Sequence, residues 1–103
     1  MLFRSQAVEF YDRFLALNPY HSPVLLQEAL AYETLGENDN ALKTYQRAIN
    51  VDPNGSFNYD RLGLFYRHIG DEPHAKEAFA KANSLFPDEV NVLNLYEMQR
   101  PGP

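Results

Sequence analysis

The sequence predicts an all-α fold built by repetition of one pair of antiparallel helices. Prolines recur at a fixed interval of 34 residues, at Pro19, Pro53 and Pro87. Between them, apolar residues recur close to the 3.6-residue period of an α-helix. A fixed period of this length is typical of a chain that repeats one supersecondary unit. We therefore expect a stack of helix pairs around one continuous core.

Small and aromatic residues keep the same register along the chain. The aligned positions are Ala7, Ala41 and Ala75, then Tyr11, Tyr45 and Phe79, then Ala29 and Gly63. Small side chains let two helices approach closely, and the aromatic side chains fill the space that they leave. A large side chain at Gly63 or Ala75 is therefore expected to overpack the core, at a cost of about 1–3 kcal/mol.

Six helices are predicted, and the residues at their ends are of types that commonly begin or end a helix. We expect them near residues 4–17, 22–35, 38–51, 56–69, 72–85 and 88–99. Gly36 and Gly70 follow the first helix of each pair, where a left-handed residue closes a helix. The three repeated prolines follow the second helix, which a proline cannot continue. Asp88 is suited to cap the last helix.

The residues from Tyr59 carry a family resemblance. The chain reads Tyr59-x2-Leu62-Gly63-x2-Tyr66, followed by Ala75-x3-Phe79 and later by the third proline. This pattern resembles the tetratricopeptide repeat (TPR). The preceding unit has the same motif, except that Glu28 stands where the later unit has leucine, so looser packing is expected there. The resemblance implies a right-handed α-solenoid, the TPR-like superhelix.

The repeat period divides the chain into units of a single domain. Residues 1–20 form a half repeat that contains only a second helix, and residues 21–54 and 55–87 form two full repeats. Residues 88–100 form a closing helix, and residues 101–103 form a tail.

Composition narrows the range of functions. The chain has 103 residues, 45% of them apolar, a formal charge of −5 and no cysteine. No segment has the length and apolarity of a membrane span, and the first residues lack the layout of a signal peptide. The negative charge argues against a nucleic-acid partner, because phosphates require a basic face. The cytoplasm is the favoured compartment, with the periplasm left open.

Residues that could support catalysis or metal binding do not form a recognisable set. His21, His68 and His74 lack the spacing of metal ligands, and we expect His68 and His74 to be solvated or to cap a helix. Phosphate-binding glycine loops and Ser-His-Asp motifs are absent from the sequence. We therefore expect no enzyme activity, no metal and no cofactor.

The family resemblance implies that the first helices of successive pairs line a concave groove in which ligands lie. The predicted contact residues are Leu26, Leu30, Glu33, Phe57, Asp60, Arg61, Leu64, Arg67, Asn94 and Met98. Leu30, Leu64 and Met98 would form an apolar ladder flanked by Arg61 and Arg67. Such a surface suits an amphipathic helix or an extended segment with a few acidic residues. Coverage of the ladder by the last helix or the tail is the alternative.

One use of this family is not expected here. TPR domains that grip the C-terminal carboxylates of chaperones set Lys, Asn and Arg side chains along the groove. Leu26, Leu30 and Phe57 occupy three of those places. Arg61 is the one basic residue left at a position that such domains use to bind the carboxylate. A carboxylate fork requires two charge-assisted donors.

The N-terminal helix is apolar on more than one face. Leu2, Phe3, Phe10 and Phe14 add to the repeated core positions, so this helix is expected to be covered by upstream sequence or by a second copy of the chain. The predicted function is a protein–protein interaction module, a scaffold or adaptor that binds a polypeptide segment in the groove. The alternatives are a structural unit that forms a homodimer through its apolar ends, or a TPR fragment of a larger, multidomain protein.

Overall fold

The computed structural model describes residues 5–85, and these residues form five helices. Their bounds are α1 Gln6–Leu17, α2 Ser22–Thr34, α3 Asn38–Val51, α4 Ser56–His68 and α5 Glu72–Leu85. The predicted bounds of α3 and α5 agree with the structure, and the other three helices differ by one or two residues at an end. The predicted helix 88–99 lies outside the described residues, as do Leu2, Phe3, Asn94 and Met98.

Side chains satisfy the free amides at the start of three helices. Ser5 Oγ accepts a hydrogen bond from the Ala7 N–H at 3.1 Å, and His21 Nδ1 accepts one from the Val24 N–H at 3.2 Å. Asp71 Oδ1 accepts from the N–H of His74 at 3.2 Å, so His74 does lie at a helix start. These bonds stabilise helix ends whose first amides lack partners within the helix.

The first helix of each pair ends at a glycine in the left-handed conformation. Gly36 has a φ of 77° and Gly70 a φ of 85°, as their sequence positions predict. At the end of α2, the Glu37 N–H donates to the Tyr32 carbonyl at 2.9 Å and the Gly36 N–H donates to the Glu33 carbonyl at 3.0 Å. This is the Schellman arrangement, which satisfies two carbonyls at the helix end and turns the chain towards its antiparallel partner.

The core forms where α2 packs on α3, α4 packs on α5, and the two pairs meet through α3 and α4. Tyr45 and Phe65 are buried between the pairs with ring centroids 5.5 Å apart. Gly63 gives α4 its close approach to α5, because a Cβ atom at this position would lie 2.6 Å from Cε1 of Phe79. Glu28 is 2% exposed, so α2 buries this position despite its polar residue.

Helix α1 buries a different face from the helices that it matches in sequence. It packs on α2 through Val8 and Leu15, whereas Ala7 is exposed and its counterpart Ala41 is fully buried. The difference arises because α2 covers α3 on the side of Ala41, and no helix within residues 5–85 covers α1 on the corresponding side.

Phe10 and Phe14 have different environments on α1. Phe10 is 66% exposed, which agrees with its predicted surface position. Phe14 is half-buried against the core, and its ring centroid lies 5.0 Å from that of His21. Phe14 thus packs partly within its own chain, and its part in a surface for self-association stays a prediction.

Candidate functional site

Helices α2 and α4, the first helices of successive pairs, border an open groove of about 460 Å³. Four of the predicted contact residues line it: Leu26, Leu30, Phe57 and Arg61. The other lining residues are Ser22, Pro23, Gln27, Asp52, Gly55 and Asn58. The groove therefore combines apolar side chains with two side chains of opposite charge.

The apolar residues of the groove differ in how far they reach the surface. Phe57 is 64% exposed and Leu30 is 37% exposed, so both can contact a second molecule. Leu26 is 8% exposed and belongs to the core, which corrects the expectation that it lies off the buried face. It forms the floor of the groove because α4 packs over this part of α2. Leu64 is 41% exposed on α4 but does not line this groove.

Asn58 closes one end of the groove and holds the junction between the repeats. Its side-chain Nδ2 donates to the carbonyls of Ala48 at 3.3 Å and Asp52 at 3.2 Å, and its Oδ1 lies 3.5 Å from the Ser22 hydroxyl. Asn58 is 3% exposed. Asn58 was not among the residues predicted from the sequence. A signal was available, because Asn58 is polar and the equivalent residue of the previous repeat is the apolar Val24.

A hydrogen-bonded cluster joins α2, α3 and α4 beside the groove. The Tyr45 hydroxyl donates to Oε1 of Glu33 at 2.8 Å, and Oε2 of Glu33 lies 2.9 Å from Nδ1 of His68. Burial raises the pKa of Tyr45, and the hydrogen bond to Glu33 and its negative charge raise it further. The positive charge of Arg61 and a hydrogen bond from it act in the opposite direction.

This cluster changes the roles expected for Glu33 and His68. The Glu33 side chain is 13% exposed and both of its oxygens have partners, so it holds helices together rather than facing a ligand. The sequence predicts that His68 is solvated or caps a helix. Its side chain is largely exposed, yet the ring is joined to the carboxylate of the preceding repeat.

Arg67 contacts two side chains of α5. Its Nε lies 3.3 Å from Oε1 of Glu72, and its Cζ lies 5.0 Å from the centroid of the Phe79 ring. Arg67 does not line the groove between α2 and α4, and its place beside the ladder stays a prediction. A position above the face of an aromatic ring is favourable for a cation.

Asp60 lies half-buried on α4, one helical turn from Phe57 and from Leu64. Burial raises the pKa of this carboxyl. Asp60 does not line the groove between α2 and α4. Within residues 5–85, no three His, Cys, Asp or Glu side chains are placed to hold a metal ion. None of the helices in that range has the length and apolarity needed to cross a membrane.

One known protein family has a sequence model that matches both helix pairs of this chain. The model of the tetratricopeptide repeat family matches residues 22–54 and 58–89. The chain belongs to the tetratricopeptide repeat family. The crystal structure of MamA superposes with a TM-score of 0.69 at 28% sequence identity, and the match covers 76% of this TPR chain and 46% of MamA. This similarity confirms the all-α solenoid predicted from the sequence.

Several curated TPR proteins are similar in sequence. The heat-shock protein cognate co-chaperone sgt12 of Aspergillus fumigatus is 34% identical over 77 residues, which are 75% of this chain and 23% of sgt12. The photosystem I assembly protein Ycf3 of Prochlorococcus marinus is 30% identical over 101 residues, 95% of this chain and 58% of Ycf3. The TPR chain thus spans about a quarter of the fungal relative and less than two thirds of the cyanobacterial one.

Proposed function

We propose that this TPR domain acts as an adaptor or scaffold, and that a polypeptide segment of its partner lies in the groove between α2 and α4. Membership of the TPR family supports binding to other proteins. Two relatives are named as a co-chaperone and as an assembly protein, which is consistent with such a role. The cytoplasm, with the periplasm as the alternative, remains a prediction from the sequence.

The observation that carries this proposal is the exposed position of Phe57 in a groove that Leu30 also lines. An aromatic side chain that is 64% exposed leaves most of its apolar surface in water in the free protein. Contact with an apolar side chain of a partner would remove that surface from water, which is favourable at about 25 cal/mol per Å². Aromatic anchors of this kind often dominate the energetics of protein interfaces.

The proposal does not include the grip on chaperone carboxylates that some TPR domains have. Among the residues that line the groove, Arg61 is the one cation, and Leu26, Leu30 and Phe57 take places that such domains give to polar or basic side chains. A single cation cannot form the fork with two donors that carboxylate binding requires. The relation to the fungal co-chaperone therefore supports protein binding in general rather than this particular ligand.

The test is a pull-down from a lysate of the source cells with groove variants and a matched control. Leu30→Lys and Phe57→Lys place a charge in the groove, and Ile69→Lys places one at the end of α4, where Ile69 is 42% exposed. All variants are first compared with the original chain by helicity and melting temperature. We expect a captured protein to be lost from both groove variants and retained by Ile69→Lys. Equal capture by all four proteins would exclude the groove as the binding surface.

Self-association through α1 is a second candidate function, in which the chain is a structural unit. Phe10 is 66% exposed and Leu17 is 84% exposed, and Ala7 beside them lacks the cover that Ala41 receives. A second copy packed on this face would bury these side chains. Sedimentation equilibrium should then show a dimer that Phe10→Glu dissociates. A monomer at high concentration would remove this candidate. That the chain serves as the TPR part of a larger protein also remains a prediction.

A further inference from the structure

One negative and one positive side chain line the groove, at different distances from the end where α2 and α4 begin. Asp52 lies with Ser22 and Gly55 at the end where α2 and α4 begin, and Arg61 lies more than one helical turn into α4. Phe57 and Leu30 belong to the apolar surface of the same groove. A molecule in the groove therefore meets a carboxylate, an apolar surface and a guanidinium group.

The backbone around Asp52 is held in place by hydrogen bonds. Its N–H donates to the Ala48 carbonyl at 3.0 Å. Its carbonyl accepts from the Gly55 N–H at 3.1 Å and from Nδ2 of Asn58 at 3.2 Å. The residue itself is exposed, and its carboxylate lies close to Gly55, just before the start of α4. A cation of a ligand can approach it without breaking an internal contact of the backbone.

Arg61 lies close to the cluster around Tyr45 and bears the positive charge of the groove. Its positive charge acts to lower the pKa of the buried Tyr45 hydroxyl, which itself donates to Glu33. Glu33 is engaged through both oxygens, by Tyr45 and by His68. A guanidinium group has five N–H donors in a rigid plane. Because Arg61 lines the groove, those donors are available to an acceptor of the ligand.

From this arrangement we infer that the groove binds a polypeptide segment with an acidic side chain and a basic side chain on opposite sides of an apolar residue, and that Asp52 and Arg61 set its direction. The acidic side chain pairs with Arg61 and the basic one with Asp52, while the apolar residue contacts Phe57 and Leu30. The inference rests on the proposed function and names the ligand more closely. It replaces the acidic segment expected from the sequence, because Arg67 faces α5 instead of the groove.

A library of random dodecapeptides displayed on phage tests the inference without a known partner. Peptides are selected on the original chain and on a variant in which both charges are exchanged, Asp52→Arg with Arg61→Glu. A control variant exchanges two exposed charges outside the groove, Arg47→Glu with Glu77→Arg. We expect the original and the control to select acidic and basic residues in the same order around an apolar residue. The groove variant should select them in the opposite order.

Milder substitutions keep the test valid if the exchanged variant does not fold. Arg61→Gln and Asp52→Asn should each weaken the best selected peptide by up to about fivefold, the range measured for exposed ion pairs. Arg47→Gln should leave its affinity within about twofold. Fluorescence anisotropy at two salt concentrations measures both the loss and its dependence on charge.

The possible failures are distinguishable. If selected peptides lose binding on Leu30→Lys but show no ordered charges, or show acidic residues at both ends, the charge inference is overturned and the groove remains the binding surface. The charge inference is also overturned if Arg61→Gln and Asp52→Asn leave affinity unchanged. If no selected peptide depends on Leu30, both the inference and the proposed function are overturned.

Discussion

The Tyr45 hydroxyl donates a hydrogen bond to the Glu33 carboxylate across 2.8 Å, and the same two repeat positions meet again one unit later as Phe79 and Arg67. In the later unit the contact is a guanidinium group 5.0 Å from a ring centroid. Both pairs join the first helix of a repeat to the second. The repeat thus preserves the contact between positions and changes its chemistry, and in each unit a charged side chain is used for packing.

Loss of the Tyr45 hydroxyl should destabilise the fold. Tyr45→Phe removes a buried hydrogen bond to a carboxylate, and bonds to charged groups contribute about 1.5–3 kcal/mol. We expect the free energy of unfolding, measured by urea denaturation, to fall by about that amount. Tyr20→Phe is the matched control, because Tyr20 is 79% exposed and its change should stay within about 0.5 kcal/mol.

A double-mutant cycle assigns this loss to the contact with Glu33. Glu33→Gln and Tyr45→Phe are combined, and the coupling between them should be within the range of about 0.5–3 kcal/mol that contacting residues show. Additive effects would show that the hydroxyl stabilises the fold by another route, such as its contact with Arg61.

A methyl group at Gly63 should overpack the interface between α4 and α5. Three ring atoms of Phe79 would lie 2.6–2.8 Å from the added Cβ, so the whole ring would have to move. Overpacking costs about 1–3 kcal/mol, and alanine recovers up to about 1 kcal/mol of helix propensity. With the full gain in propensity, we therefore expect Gly63→Ala to lower the free energy of unfolding by up to about 2 kcal/mol.

The smaller side chain in Phe79→Leu provides the control for this substitution. In that background Gly63→Ala should cost less, because the ring that it contacts is gone. A rise in stability on Gly63→Ala alone would mean that the ring shifts freely and that helix propensity dominates.

The sequence period was sufficient to predict the five helices of residues 5–85, the glycine ends and the close packing at Gly63, because each depends on position within the repeat. It was not sufficient to predict which way charged side chains turn. Glu33 and Arg67 occupy equivalent positions and both are predicted groove residues, yet each turns towards the second helix of its own pair.

Ala7 shows a second limit of the repeat pattern. It aligns with the buried Ala41, but burial depends on the helix that lies opposite, and α1 has a helix on one side only within residues 5–85. A period identifies equivalent positions, whereas exposure also depends on how many neighbours each unit has.

Asn58 should be required for the junction between the two repeats. Asn58→Leu preserves the volume approximately but removes the donor that serves the Ala48 and Asp52 carbonyls. Each carbonyl keeps a backbone donor, so the expected cost is the net loss of two hydrogen bonds, about 0.5–1.5 kcal/mol each, and thermal and urea unfolding should both show it. Asn50→Leu is the control, because Asn50 is exposed on α3. Equal effects of the two substitutions would argue against a structural role for the Asn58 amide.

Asp60 should make the stability of the fold depend on pH in the carboxyl range. Burial raises the pKa of this group above its ordinary value of 3.8, so the folded chain holds the proton more tightly than the unfolded chain. Its contribution is therefore favourable below that ordinary value and is lost as the pH rises through the folded pKa. Asp60→Asn should raise the melting temperature at pH 7 and have little effect at pH 3, whereas Glu77→Gln on the exposed face of α5 should not show this difference. A lower melting temperature of Asp60→Asn at pH 7 would show instead that the ionised carboxylate has a stabilising partner.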